Sequence, residues 1–146
     1  MTAPPPFLLD TCVLVALLRQ KELGQRIEHA YNLTANLGKA LISVVTVGEM
    51  HSLARKWKWP LGKVEKMQTL LEEVVWVDIN TPAIFDAYGE IDHFLAKSAR
   101  PIGQNDIWIA ATCRASGAIL LTTDRDFDVL DSQFLRRIYI KHKSSK

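Results

Sequence analysis

The chain has only two cysteines in 146 residues, Cys12 and Cys113, and they form no C-x-x-C pair. That excludes a disulfide framework and a thiolate zinc site, and leaves two buried thiols in a reducing compartment as the expected state. The seven glycines never fall in a G-x-x-x-x-G-K or G-x-G-x-x-G pattern, so the common phosphate-cradling nucleotide folds are unsupported. Four histidines, His29, His51, His93 and His142, show no ligand spacing and read as ordinary helix or tail residues. No stretch approaches the ~20 apolar residues that cross a bilayer. No Lys or Arg precedes Phe7, and Asp10 interrupts the first apolar run, so nothing resembles a signal peptide and a cytoplasmic protein is expected. The net charge of +2 is too small to announce nucleic-acid binding by itself.

What is present is the balance of an ordinary soluble globule, 48% apolar and 23% charged. A chain of this length forms one domain, residues 1–146, and buries roughly 70% of its unfolded surface. Residues 1–6, with three consecutive prolines, form an extended lead-in, and residues 141–146 a basic tail.

The element on which the rest is organised is Phe7-Leu8-Leu9-Asp10-Thr11, a buried strand that ends in a carboxylate, followed by a helix over Val13 to Leu18. A second helix is expected from Glu22 to Leu37, with Leu23, Ile27, Ala30, Leu33 and Leu37 on one stripe and Gly38 ending it. Ala40 to Val44 is a second strand. Helices follow over Thr46 to Lys58 and from Pro60 through Leu71. Val74 to Val77 is a third strand, and Thr81-Pro82 caps a long helix. Arg100 to Gln104 is a loop, Asp106 to Ser116 a helix closed by Gly117, and Ala118 to Thr122 a fourth strand. A turn near Asp126 to Leu130 leads to a last strand, Arg137 to Ile140. The fold class implied is α/β, a three-layer α/β/α arrangement on a central, mostly parallel twisted sheet of four to five strands.

Four acids hold comparable positions. Asp10 ends strand one, Glu49 lies in the first turn of the helix after strand two, Asp106 opens the helix before strand four, and Asp124 follows strand four. Each has a structural explanation. Thr46-Val47-Gly48-Glu49 has the form of a capping box, Asp106 suits a helix dipole, and Asp10 and Asp124 could cap the turns after them. Together they mean more. Four anions in one crevice repel one another unless a cation neutralises them, and oxygen ligands without His or Cys suit magnesium or manganese. Such a cluster is equipment for metal-assisted phosphodiester hydrolysis. Asp106 joins the others only if the loop before it brings its helix start to the same sheet edge.

Four segments then carry a family likeness: Leu8-Leu9-Asp10-Thr11, Ser43 to Glu49, Asn105 to Ala111, and Leu121 to Phe127. In this order and spacing the chain resembles the PIN domain ribonucleases, most of all the VapC-type toxins of type II toxin-antitoxin pairs, from Phe7 to about Ile140. The resemblance implies a Mg2+- or Mn2+-dependent endoribonuclease in which Asp10, Glu49, Asp106 and Asp124 are the acidic catalytic and metal-binding set. It also implies Thr11 and Asn105 as supporting polar neighbours, Asp126 as a further acidic position, a small co-encoded antitoxin as partner, and a homodimer; Thr46, the capping-box threonine, is counted with the supporting residues. Cys12 stands where the family often has Asn or Ser, and Gly48 softens the turn under Glu49. Neither removes a ligand.

Arg55, Lys56, Lys58, Lys63 and Lys66 surround Trp57 and Trp59. They form a solvated face, a guide for single-stranded RNA in which Arg55, Lys56 and Lys58 bind substrate, or a groove for an antitoxin segment. Arg125 could hold a phosphate beside Asp124 or pair with Asp126 or Asp128. Rival readings are a haloacid-dehalogenase-like phosphatase, which needs a second Asp where Cys12 stands, and a receiver domain, whose acidic pair and late lysine are absent. Within the resemblance, the alternatives are a housekeeping RNA-processing nuclease and a non-catalytic PIN-like module that binds RNA or protein; a pure RNA binder would gain affinity by losing the carboxylates.

Overall fold

The sheet is built from five short strands, all parallel, in the order β3-β2-β1-β4-β5. A computed structural model of the chain describes residues 3–99 and 101–143. Met1 and Thr2 of the lead-in, Arg100 of the expected loop and residues 144–146 of the tail lie outside them. In chain order the elements are β1 (Phe7–Leu9), α1 (Thr11–Arg19), α2 (Glu22–Tyr31), a 3-10 stretch (Thr34–Lys39), β2 (Leu41–Ser43), α3 (Val44–Lys56) and α4 (Leu61–Glu73). Then come β3 (Val75–Val77), α5 (Pro82–Ala96), α6 (Gln104–Ser116), β4 (Ile119–Thr122), a second 3-10 stretch (Arg125–Leu130) and β5 (Arg136–Tyr139).

Strand alternation divides the core into two layers. Leu9, Ile42 and Leu121 pack with Val13, Leu14, Ile27, Met50 and Met67 under α1 to α4. Their neighbours Leu8 and Leu120 pack on the other face with Ile84, Ile91, Ile109 and Phe127, under α5 and α6. Both faces of the central strands are therefore dry, which is why β1 reads as an unbroken apolar run. Each fully buried Leu or Ile contributes roughly 1.5 to 3 kcal/mol by area. Among the described residues, no helix is long and apolar enough to cross a membrane.

Three expectations need correction. The helix expected over Glu22 to Leu37 ends at Tyr31, because Asn32 turns left-handed (φ 50°) and a 3-10 stretch follows. Leu33 and Leu37 are still buried, but Ala30 is exposed, so the apolar spacing spans a break. The helix expected to start at Thr46 starts at Val44, directly off β2. Its cap is Ser43, whose Oγ accepts the Val45 N–H at 3.1 Å. The Thr46–Glu49 capping box is thus absent, and Glu49 sits in the second turn. By contrast Thr81 caps α5 from Ile84 N–H, with Pro82 at its start, and Gly117 (φ 66°) closes α6 in the left-handed conformation.

The strand order fixes where a site can form. From β1 the chain steps outward to β2 and β3, then returns to place β4 on the other side of β1. The order reverses between β1 and β4, and crevices in open parallel sheets open beyond the carboxyl ends of the strands at such a point. Two residues separate the end of α6 from β4, so α6 runs back along the sheet and begins at the carboxyl edge.

Candidate active site

Asp10 follows β1 at the reversal point and is nearly buried, 5% exposed. Its backbone N–H donates to the Leu121 carbonyl at 3.0 Å, continuing the β1–β4 ladder one residue past the strand. One carboxylate oxygen, Oδ1, accepts the Thr11 N–H at 2.8 Å, making Asp10 the cap of α1. The other, Oδ2, accepts the Thr122 hydroxyl at 2.7 Å and the Cys12 thiol at 3.3 Å. Burial raises the Asp10 pKa above its ordinary value; the bonds from Thr122, Cys12 and Thr11 pull against that, and the Glu49 charge adds to it. Cys12 remains a thiol, pushed up to about 12 by burial and then by Asp10, so it donates to the carboxylate while its sulfur accepts the Thr123 N–H at 3.3 Å.

Thr122 ties two of the acids together. Its hydroxyl donates to Asp10 and accepts the Asp124 N–H at 2.9 Å, so the carboxylate after β1 and the backbone after β4 share one side chain. Nothing in the sequence singles this residue out except a threonine ending an apolar strand. Thr122→Val would leave a buried carboxylate oxygen without its hydroxyl donor, at a cost of about 2 kcal/mol. Thermal melts should show the loss, with Thr122→Ser keeping most of the stability.

Glu49, half-buried on α3, accepts the Thr11 hydroxyl at 2.7 Å on Oε1, and Asn105 Nδ2 approaches Oε2 at 3.5 Å. Thr11 Oγ also lies 3.1 Å from Thr46 Oγ, so Thr46 meets α1 from inside α3 instead of capping its own helix. Asp106, in the first turn of α6, reaches the same edge. Its carboxyl is pushed up to about 7 by burial and then by the charges of Asp10, Asp124, Glu49 and Asp126, in that order. Asp124 caps the second 3-10 stretch, its Oδ1 accepting the Asp126 N–H at 2.8 Å.

The tightest grouping is Asp106, Asp124 and Asp126, each with one carboxylate oxygen within 4.8 Å of the others. Asp126 thus stands closer to the centre than its expected supporting place, while Asp10 and Glu49 are outside this trio though their charges reach Asp106. Among the described residues the ion pairs are Arg26–Glu22, Arg114–Glu90 and Arg137–Asp128, and none neutralises the cluster. The donors are all hard oxygens. They fit a magnesium- or manganese-sized dication, whose charge would offset the burial and the repulsion that push the Asp106 carboxyl up.

The basic residues are placed less uniformly. Arg125 is exposed and turned onto the Tyr139 ring, 4.8 Å from its centroid; Asp128, one of its expected partners, pairs instead with Arg137 at 3.0 Å. Lys56 lines a hollow of about 430 Å³ with Glu49 and Asn105, whereas Arg55 and Lys58 line a separate one beside Trp59. Both cysteines are free; Cys113 is buried and donates to the Ala118 carbonyl at 3.2 Å.

The chain and its fold are similar to known proteins. The chain is 30% identical over 123 residues to the tRNA(fMet)-specific endonuclease VapC of Shigella flexneri, covering 84% of this chain and 89% of that protein. It is 29% identical, at the same coverage, to ribonuclease VapC2 of Haemophilus influenzae. The fold superposes on VapBC2 from Rickettsia felis bound to a promoter DNA fragment, with TM-score 0.75 and 22% identity over 91% of this chain and 97% of that one. VapBC-1 from nontypeable Haemophilus influenzae gives 0.69 and 23% over 91% and 96%. Residues 7–133 match the PIN domain model, and the chain belongs to the PIN domain family, among its VapC-type members.

Proposed function

We propose that the protein is a divalent-metal-dependent endoribonuclease, the toxin of a toxin-antitoxin pair. The observation that carries this reading is the unneutralised trio of Asp106, Asp124 and Asp126 at the sheet edge, with Asp10 and Glu49 adding charge from behind. In this reading Asp106, Asp124 and Asp126 hold the dication, with Asp10 and Glu49 completing its surroundings. A bound Mg2+ or Mn2+ supplies the positive charge that polarises a phosphodiester and activates an attacking water. The protein's own part is positional. Thr122 and Cys12 fix the Asp10 carboxylate, Thr11 fixes Glu49, and the α6 start presents Asp106.

The VapC relatives named as ribonucleases support the RNA substrate, and the VapBC complexes among the structural relatives support a small co-encoded antitoxin. A homodimer belongs to the same proposal and rests on the family likeness. The test is cleavage of labelled RNA by purified protein, with EDTA or with Mg2+ or Mn2+ added. Cleavage should require the metal, and Asp10→Asn and Asp106→Asn should each lower the rate at least a hundredfold while circular dichroism stays unchanged. Metal-independent cleavage by the Asp106→Asn protein would sink the assignment.

A further inference from the structure

Helix α3 carries both an acid of the site and a cation. Glu49 stands in its second turn and Lys56 in its last, about 10 Å further along the axis and on the same side of the helix. Between them Gly48 is exposed and Ser52 half-buried, and a Cβ added to Gly48 would meet no atom within 4 Å. Gly48, Glu49, Ser52 and Lys56 line one hollow of about 430 Å³, together with Asn105 of α6.

Lys56 is exposed and takes part in none of the ion pairs among the described residues. Long side chains on a helix lean toward its amino end, which from Lys56 is the direction of Ser52 and Glu49. The other basic residues expected to meet substrate are turned elsewhere. Arg55 and Lys58 line the hollow beside Trp59, and Arg125 lies on the Tyr139 ring.

The acidic edge creates the need for such a cation. A dication offsets two charges of a group that contains Asp10, Glu49, Asp106, Asp124 and Asp126. The edge therefore stays negative and repels the phosphodiesters on either side of the one being cut. We propose that Lys56 is a substrate-binding residue, its ammonium holding a phosphate next to the scissile one in the hollow onto which Glu49 and Asn105 open. A compact ammonium with three donors suits a phosphate oxygen, the Ser52 hydroxyl offers another donor, and Gly48 leaves the floor low. The assignment rests on the nuclease reading given above and says where the neighbouring phosphate sits.

The first measurement is steady-state cleavage of labelled RNA by full-length protein in Mg2+. Lys56→Ala should raise KM about tenfold and leave kcat within about twofold, because a flanking contact is made equally before and during the reaction. Lys56→Arg keeps the charge and should restore most of the loss. Gly48→Leu, whose Cβ meets nothing in the chain, should raise KM severalfold by filling the hollow. The second measurement needs no turnover: anisotropy of a fluorescein-labelled single-stranded 12-mer on Asp106→Asn protein at several salt concentrations. Adding Lys56→Ala should lower the slope of log affinity against log salt by about 0.7. Lys39→Ala, just before β2 at the opposite edge of the sheet, should leave the slope unchanged. An unchanged slope in the Lys56 variant, or a loss that Lys39→Ala reproduces, would overturn the proposal. So would a Lys56→Ala protein that loses affinity only for the co-encoded partner. Absence of cleavage by the wild type with either metal would overturn the nuclease reading, and the salt slope would still decide Lys56, so the two failures are separable.

Discussion

Asp106→Asn should make the metal-free protein more stable at pH 8 and remove its stabilisation by Mg2+ or Mn2+. The carboxyl is pushed up to about 7 from an ordinary 3.8, by burial first and then by the surrounding acids. The folded state therefore keeps a proton that the unfolded chain loses earlier. With respect to this group, stability is fully present below about pH 4 and falls as pH rises through 7. At pH 8 burying this charge among the other acids costs roughly 2 kcal/mol, discounted for solvent screening. Neutral Asn escapes that cost. In EDTA the variant should melt several degrees above the parent at pH 8, and the gap should close at pH 4.

Added metal should reverse the ranking. A dication at a hundred times its Kd stabilises the parent by about 2.7 kcal/mol, some 5 to 10 °C in a domain of this size. The variant, lacking one carboxylate of the trio, should gain little. Thermal melts of both proteins at two pH values, with EDTA and with 10 mM Mg2+, check every part. A parent whose melting temperature ignores both pH and metal would show that the acids are not coupled.

The second large effect is expected where no chemistry occurs. Gly24, in the first turn of α2, faces α1 so closely that an added Cβ would lie 2.2 Å from the Ala16 carbonyl oxygen and 3.0 Å from its carbon. That oxygen already accepts the Gln20 N–H at 3.2 Å, and the obstacle is backbone, which no rotamer change can move aside. Gly24→Ala must push α2 off α1, at about 3 kcal/mol, lowering the melting temperature by roughly 6 to 12 °C. A helical glycine replaced by alanine would otherwise gain stability from propensity, so the sign of the change is diagnostic. Retained or raised stability would mean that the two helices can part freely.

The sequence disclosed most where one physical cause dominated. β1, β2 and β4 are short apolar runs because both faces of the sheet are covered, and the acids after them mark the edge without knowledge of pairing. Apolar periodicity could not show that Asn32 breaks α2, since Leu33 and Leu37 stay buried on either side of the kink. Val44 and Val45 are β-branched and extend the strand pattern, yet Ser43 caps a helix there, so tertiary placement overrode propensity. Thr122 and Cys12 were illegible as partners of Asp10 because their roles depend on which strands become neighbours. Arg125 was placed near phosphate or acid by sequence proximity alone, while its stacking on Tyr139 depends on β5 lying beside β4.

β4, which pairs with β1, is synthesised after β2 and β3, so the pocket is completed by residues far along the chain from Asp10. Asp10 leaves the ribosome 112 residues ahead of the threonine that secures it, an interval of roughly 6 to 22 s at ordinary elongation rates. During that time β1 lacks its β4 partner, and the trio lacks Asp124 and Asp126. The acidic pocket is thus complete only once β4 and the 3-10 stretch after it have been made, and a chain cut short before β4 would lack Asp124 and Asp126.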